Sequence, residues 1–342
     1  MSLLLSLFRP LYDSIFSTLP FRYRWRLFIL QPLSLISASL TVTPWIFSRR
    51  YSVHWFPTRN GGSVRAIVFI PPKKEGDKRL RPLHLDMHGG AFIGGLAEYN
   101  ARWCAKLSDE TGAVVVSSMY RYAPKHTFPA AIDDIDDVVG YLFKNAEVKF
   151  GANPELFTVS GSSAGGNLAL AACQQPACQH PSKTAVRASV TFYALIDLRL
   201  QPKEKPMPPG FPTIDPLRFL YPLFDAYPAS ARAENFENPR MNPIVADIKT
   251  LPDNMLLIIP SIDILLVEQL AFVERVKADI EAEGDDGRPR RVEGMVFEDC
   301  FHGWLELPSF FIREKTRMDA FGAGCTLIKE VHKKYGFDLA AV

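Results

Sequence analysis

The sequence predicts an α/β fold, a mostly parallel central sheet flanked by helices, with a helical cap. Short apolar runs alternate with longer amphipathic stretches along most of the 342 residues. The chain is 47% hydrophobic, enough to bury one large core. Chemically distinctive residues fall just after the apolar runs, and in such sheets ligands gather at the carboxyl ends of strands.

Strand-like runs are read at about 64–70, 83–87, 113–118, 156–160, 188–192, 255–259 and 292–297. Helix-like stretches are read near 98–111, 130–146, 163–175, 267–283 and 311–334. Leu83 to Met87 alternates with period two, whereas Leu156 to Ser160 and Met255 to Ile262 read as buried strands. Glu281 to Arg291 is charged and contains glycine, as a solvated connector does. There is no internal repeat or low-complexity segment.

A formal net charge of +2 gives no reason to invoke nucleic acid. The five cysteines are scattered without metal-ligand spacing, which fits reduced thiols in an intracellular, cytoplasmic protein. A bridge between Cys173 and Cys178 is the lesser reading, and Cys300 is expected to pack. No cofactor motif is visible, and neither a cofactor nor a metal is expected.

The chemistry concentrates at Gly161-Ser162-Ser163-Ala164-Gly165, between an apolar run and the small-residue stretch Gly166 to Ala172. Glycines on either side of a serine permit a tight strand-to-helix turn. The hydroxyl is thereby lifted off the sheet, and the helix N-terminus favours developing negative charge. Ser163 is the candidate nucleophile. Upstream, His88-Gly89-Gly90-Ala91-Phe92 follows a strand, and its glycines leave backbone N–H groups free to face an oxygen. Gly89, Gly90 and Ala164 are the expected oxyanion-hole donors. His88 is read as orienting this loop and not as the base.

A nucleophile of this kind needs a base, and the base an orienting acid. Of seven histidines, His302 lies in a post-strand loop and is followed by glycine. Asp263 closes the buried run Met255 to Ile262. The order Ser163, Asp263, His302 is that of α/β-hydrolases. Asp197, after another strand, is read as a loop-orienting carboxylate.

At this point the chain resembles the hormone-sensitive-lipase-like esterase branch of the α/β-hydrolase superfamily, in a fungal-type form. His88-Gly89-Gly90-Ala91 is similar to its H-G-G-G, and Gly161 to Leu168 to its G-D-S-A-G-G-N-L. Tyr120 to His126 with Phe128 to Ala131, Asp133 and Asp134 is similar to its Y-R-L-A-P-E-H…F-P-A-A…D-D. Asp263-Ile264-Leu265 with Glu268 is similar to D-P-L-R-D-E, and His302-Gly303 completes the set. These blocks span about residues 64 to 335. The resemblance implies an α/β-hydrolase fold with an N-terminal contribution to the cap. It also implies a small-molecule ester or acyl substrate. Similar chains occur in fungal biosynthetic pathways, which points toward secondary metabolism.

Three departures stand out. Ala91 replaces a glycine and is expected to be barred from glycine-only backbone angles. Ser162 replaces the aspartate beside the nucleophile. Ile264, Leu266 and Val267 make the loop after the acid more apolar.

Residues 27–47 carry no charge and lie between Arg22, Arg24 and Arg26 on one side and Arg49 and Arg50 on the other. Two readings stay open for residues 1–50. The length matches a bilayer span, but Pro32, Pro44, Gln31 and the hydroxyl residues weaken insertion and favour a cap. A second cap element is expected at about 198–240, where prolines and aromatics are dense, with the hydrolase domain covering 51–342. The expected function is cleavage of carboxylic esters of apolar groups through an acyl-enzyme on Ser163. Acyl transfer or macrolactone formation with the same triad, and ligand reception without catalysis, are the alternatives.

Overall fold

The computed structural model describes residues 3–73, 76–180, 183–284, 289–307 and 311–341. Eight strands form one sheet: β1 (Ser52–Pro57), β2 (Ser63–Phe69), β3 (Arg81–Met87), β4 (Val114–Ser118), β5 (Ala152–Ser162), β6 (Val186–Phe192), β7 (Asn254–Ile262) and β8 (Arg291–Phe301). Their spatial order is β1-β2-β4-β3-β5-β6-β7-β8. β2 runs antiparallel to both its neighbours, and all pairings from β4 to β8 are parallel. Every residue of β3, β4 and β6 is buried, the pattern of strands covered on both faces.

Helices α1 (Leu3–Phe16), α2 (Phe21–Thr41) and α3 (Thr43–Ile46) precede the sheet. Within it follow α4 (Ala101–Thr111), α5 (Ala130–Phe150), α6 (Ala164–Ala172), α7 (Tyr221–Phe224), α8 (Leu266–Glu283) and α9 (Glu314–Lys334). α4 packs with α9, α5 with α6, and α8 covers β7 and β8. The seven strand-like runs all became strands. The sequence reading missed β1, whose buried/exposed alternation is weak because only Phe56 faces the core. It also ran the third helix to 175, whereas α6 ends at Ala172. The connector expected at 281–291 is shorter than that, since α8 extends to Glu283 and β8 starts at Arg291; its residues 285–288 lie outside the described ones.

A buried ion pair locks the antiparallel side of the sheet. Arg65 of β2 donates through both terminal nitrogens to Glu98, at the entry to α4, and Glu98 has no exposed surface. A bidentate guanidinium–carboxylate pair satisfies both charges where water is excluded.

The N-terminal segment forms a helical hairpin of α1 and α2, followed by the short α3. The Gln31 amide accepts from the Leu11 N–H (3.0 Å) and donates to the Leu7 carbonyl (3.1 Å), bridging two backbone groups of α1. Arg24 donates to the Ser14 and Ile15 carbonyls at 2.8 Å each, covering the open C-terminal end of α1. Arg26 donates to the Phe219 carbonyl and ties α2 to the excursion between β6 and β7. The uncharged stretch 27–47 is not one element. α2 includes three arginines at its start and ends at Thr41, and Pro44 lies in the separate α3. No helix among the described residues is long and apolar enough to cross a membrane.

Removing one partner of a buried pair strands the other charge, which typically costs about 3–5 kcal/mol. Glu98→Ala is therefore expected to lower unfolding stability by that amount in urea titration. A loss within the range of an ordinary surface change would contradict the assigned pairing.

Candidate active site

The turn after β5 is set by steric limits. Ser163 has φ 52° and ψ −118°, a region a non-glycine residue occupies only when its surroundings force it. Its N–H donates to the Phe192 carbonyl at the end of β6 (2.9 Å), and its own carbonyl accepts from Gly166 and Leu195. Gly165 makes the close packing of α6 possible. A Cβ there would sit 2.0 Å from the Met87 carbonyl oxygen of β3, so no side chain fits. Beneath the turn, Ser162 donates to Asn100, and Asn100 and Ser160 donate to the buried carboxylate of Asp86. Ser162 is thus held by a neutral hydrogen bond.

The structure brings the three predicted residues together. His302 Nε2 lies 2.9 Å from Ser163 Oγ, and its Nδ1 lies 2.9 Å from Asp263 Oδ2. Asp263 is fully buried one residue past β7, and its other oxygen accepts the Leu265 N–H (2.9 Å), which fixes the carboxylate plane. His302 follows β8, where a register irregularity between Phe297 and Phe301 redirects the strand end. The three groups therefore leave the same edge of the sheet from β5, β7 and β8. The His302 side chain remains 41% exposed, so the ring is not sealed from solvent.

Electrostatics favour a basic imidazole. Burial works against the charged ring, but Asp263, through its charge and hydrogen bond, and then Glu306 and Glu268 outweigh it. His302 is raised above its ordinary 6.5.

Of the predicted donors, Gly89 and Ala164 lie at the turn that carries Ser163. Gly89 adjoins the elbow, since a Cβ on it would lie 3.2 Å from the Ser162 carbonyl oxygen and 3.4 Å from Ser163 Cβ. Gly90 adopts φ +121°, which favours glycine, and a Cβ there would meet the Gly94 carbonyl oxygen at 2.2 Å. Among the described residues the N–H groups of Gly89, Gly90 and Ala164 find no protein acceptor. Ala91 differs from expectation. Its φ of 50° lies in the left-handed region, which alanine reaches at a cost, so the loop keeps its path without the third glycine.

His88 is fully buried and stacks on Tyr120 (4.6 Å between centroids). It donates from Nδ1 to the Gly89 carbonyl (2.6 Å), with the Tyr122 hydroxyl 3.1 Å from Nε2. Burial pulls its pKa down to about 4, so the ring is neutral and serves as a prop for the loop. Asp197 accepts from Arg199 and shapes its own turn.

Sequence reasoning missed Glu306 and Tyr193. Tyr193 directly follows β6, with φ 40°, and its ring stands edge-on to His302 at 5.1 Å. Its hydroxyl donates to Glu306 Oε1 (3.2 Å), and that oxygen would lie 3.7 Å from a Cβ on Gly89. Glu306 thus stands between the base and the donor loop. Burial raises its pKa, opposed by the His302 charge and the Tyr193 hydrogen bond. Four positions after His302 in a short turn, it carried no pattern that sequence could flag. Glu268, quoted only as part of a motif, accepts the Ile196 and Asp197 N–H groups and pairs with Lys205. It fastens the loop after β6 to α8.

A family model described as alpha/beta hydrolase fold matches residues 84–306, and the chain belongs to that family. Over 132 residues the chain is 35% identical to arylacetamide deacetylase-like 2 of Homo sapiens, a match covering 37% of this chain and 32% of that protein. It thus spans about a third of the length of that relative. Ethyl acetate hydrolase of Pseudomonas putida is 26% identical over 222 residues, covering 64% of this chain and 67% of that one. Among solved structures, an esterase of Pyrobaculum calidifontis superposes with a TM-score of 0.71 at 26% identity, over 89% of this chain and 92% of that chain.

The charge arrangement sets an expectation for His302. Its imidazole should titrate above 6.5 by NMR, and Glu306→Gln should move the midpoint down by removing a negative neighbour. An unchanged midpoint would contradict the electrostatic role of Glu306.

Proposed function

We propose that this protein is a serine hydrolase that cleaves carboxylic esters of apolar acyl or alcohol groups through an acyl-enzyme on Ser163. The observation that carries this reading is the bridging of Ser163 and Asp263 by one imidazole at hydrogen-bond distance on both sides. The esterase and deacetylase names of its relatives support it.

In this mechanism the Ser163 hydroxyl gives its proton to His302 Nε2 as Oγ bonds to the ester carbonyl carbon. Asp263 holds Nδ1–H and stabilises the imidazolium. Gly89, Gly90 and Ala164 donate to the oxyanion, each donor being worth on the order of a hundredfold in rate. The tetrahedral species collapses as His302 protonates the leaving alcohol. Water then gives a proton to His302 and attacks the acyl carbon, and the returning proton restores Ser163 Oγ. Glu306 and Tyr193 keep the ring basic and oriented.

Residues 1–50 and about 198–240 are assigned as the cap over a hydrolase domain of 51–342. Support comes from the tie between Arg26 and Phe219, and from Gly210, where a Cβ would lie 3.8 Å from Ile262 beside the triad acid. Met207, Ile214 and Leu217 of the excursion expose apolar side chains, which suit an apolar substrate group.

Purified protein should hydrolyse p-nitrophenyl esters with a chain-length optimum, and Ser163→Ala should lose at least about a thousandfold in kcat. Because the base acts unprotonated and its pKa is raised, kcat/KM should fall as pH drops through a midpoint above 6.5. Near-wild-type turnover by the Ser163→Ala variant would overturn the mechanism.

A further inference from the structure

The N-terminal hairpin leaves more apolar surface exposed than helices that serve only to pack on a protein would leave. Among the described residues, 12 of the 26 exposed large hydrophobic side chains fall in the first 50 positions. On α1, Phe8, Tyr12, Ile15 and Phe16 are exposed at helical spacing. On α2, Ile29, Leu33, Ile36 and Leu40 repeat at intervals of four, three and four and make one outward stripe. The residues these helices bury mix the apolar Leu27 and Ala38 with the polar Asp13, Ser14 and Gln31. Phe21, at the start of α2, is 77% exposed, and Phe47, just past α3, is 91% exposed.

Exposed apolar stripes of this extent call for an apolar phase outside the protein. The charges around the stripe say which one. The first 50 residues hold six arginines and one acidic residue, Asp13. Arg9 pairs with Asp13 and Arg50 with Asp109. Among the described residues, Arg22, Arg24, Arg26 and Arg49 have no carboxylate partner. Arg22 to Arg26 open α2 and Arg49 follows α3, so positive charge flanks the stripe at both ends. A second copy of the chain would bring these like charges against each other, whereas anionic headgroups complement them. The helices are too short or too polar to span a bilayer, which leaves the in-plane arrangement of an interfacial helix.

We infer that α1–α3 form a membrane-docking surface, which seats the apolar stripes of α1 and α2 in the interface of an anionic phospholipid bilayer with the flanking arginines on the headgroups. Arg9, Pro10 and Leu27 of the hairpin line a small cavity together with Ile93 and Gly94, just past the donor loop, so the docked hairpin would stand beside the catalytic site. An apolar ester could then be taken from the bilayer and not from bulk water.

The test uses the full chain in flotation against vesicles of phosphatidylcholine with and without phosphatidylserine. Wild type should float with the anionic vesicles, and added salt should weaken the binding. Ile29→Asp with Ile36→Asp should weaken binding at least about tenfold. Arg22→Gln with Arg49→Gln should weaken it about fivefold per charge removed and reduce its salt dependence. All four side chains are peripheral, so thermal unfolding should match wild type; Ile29→Ser with Ile36→Ser replaces the aspartate pair if that pair fails to fold. Wild type that stays with the unbound fraction overturns the inference, as does undiminished binding by the folded stripe variants. A lipid-free dimer dissociated by the stripe substitutions, without vesicle binding, also overturns it and gives the face to a second copy.

Discussion

The close approach of α6 to β3 is the constraint on which the site depends. The Gly165 backbone contacts the Met87 carbonyl so tightly that a methyl group cannot enter, and Ser163 absorbs the resulting turn at φ 52°. Strain of this kind costs about 1–3 kcal/mol and persists only when the surroundings over-determine it. Here three features hold it: the Ser163–Phe192 backbone bond, the helix that starts at Ala164, and the buried Ser162–Asn100–Asp86 chain. The elbow hydroxyl is therefore aimed by the sheet itself, and relaxing the turn would move it away from His302.

The second dependence is electrostatic. A single imidazole faces Ser163 on one side and a fully buried carboxylate on the other. Desolvation alone would leave that ring a weaker base. Asp263 reverses the sign, with Glu306 and Glu268 adding to it from flanking elements. Glu306 is held by Tyr193, whose left-handed backbone follows β6 directly, so this contribution too depends on the sheet register. On the opposite side, burial keeps His88 neutral, and its contacts with Tyr120 and Tyr122 hold the donor loop in place.

Much of this was legible in the sequence because strand-end chemistry has local signatures. Gly161 to Gly165, His88 to Gly90, and the order of Ser163, Asp263 and His302 sit next to apolar runs, and the structure gathers them at one sheet edge. What escaped was chemistry without a local pattern. Glu306 and Tyr193 meet across 113 positions, so neither is distinctive alone. β1 escaped because an edge strand with one core residue has no period to read. The N-terminal segment escaped for a different reason. Its apolar content was evident, but which way the stripes face depends on Gln31 inserting against α1 and Arg26 reaching Phe219, contacts that no spacing rule supplies.

In the proposed mechanism Ser163, activated by His302, is the nucleophile. The most direct measurement is intact and peptide mass spectrometry after treatment with a fluorophosphonate ester. One phosphonyl adduct per chain on the peptide carrying Ser163, formed far more slowly by His302→Ala, is the expected result. A folded protein that stays unlabelled, or labels elsewhere at the same rate with and without His302, would contradict it.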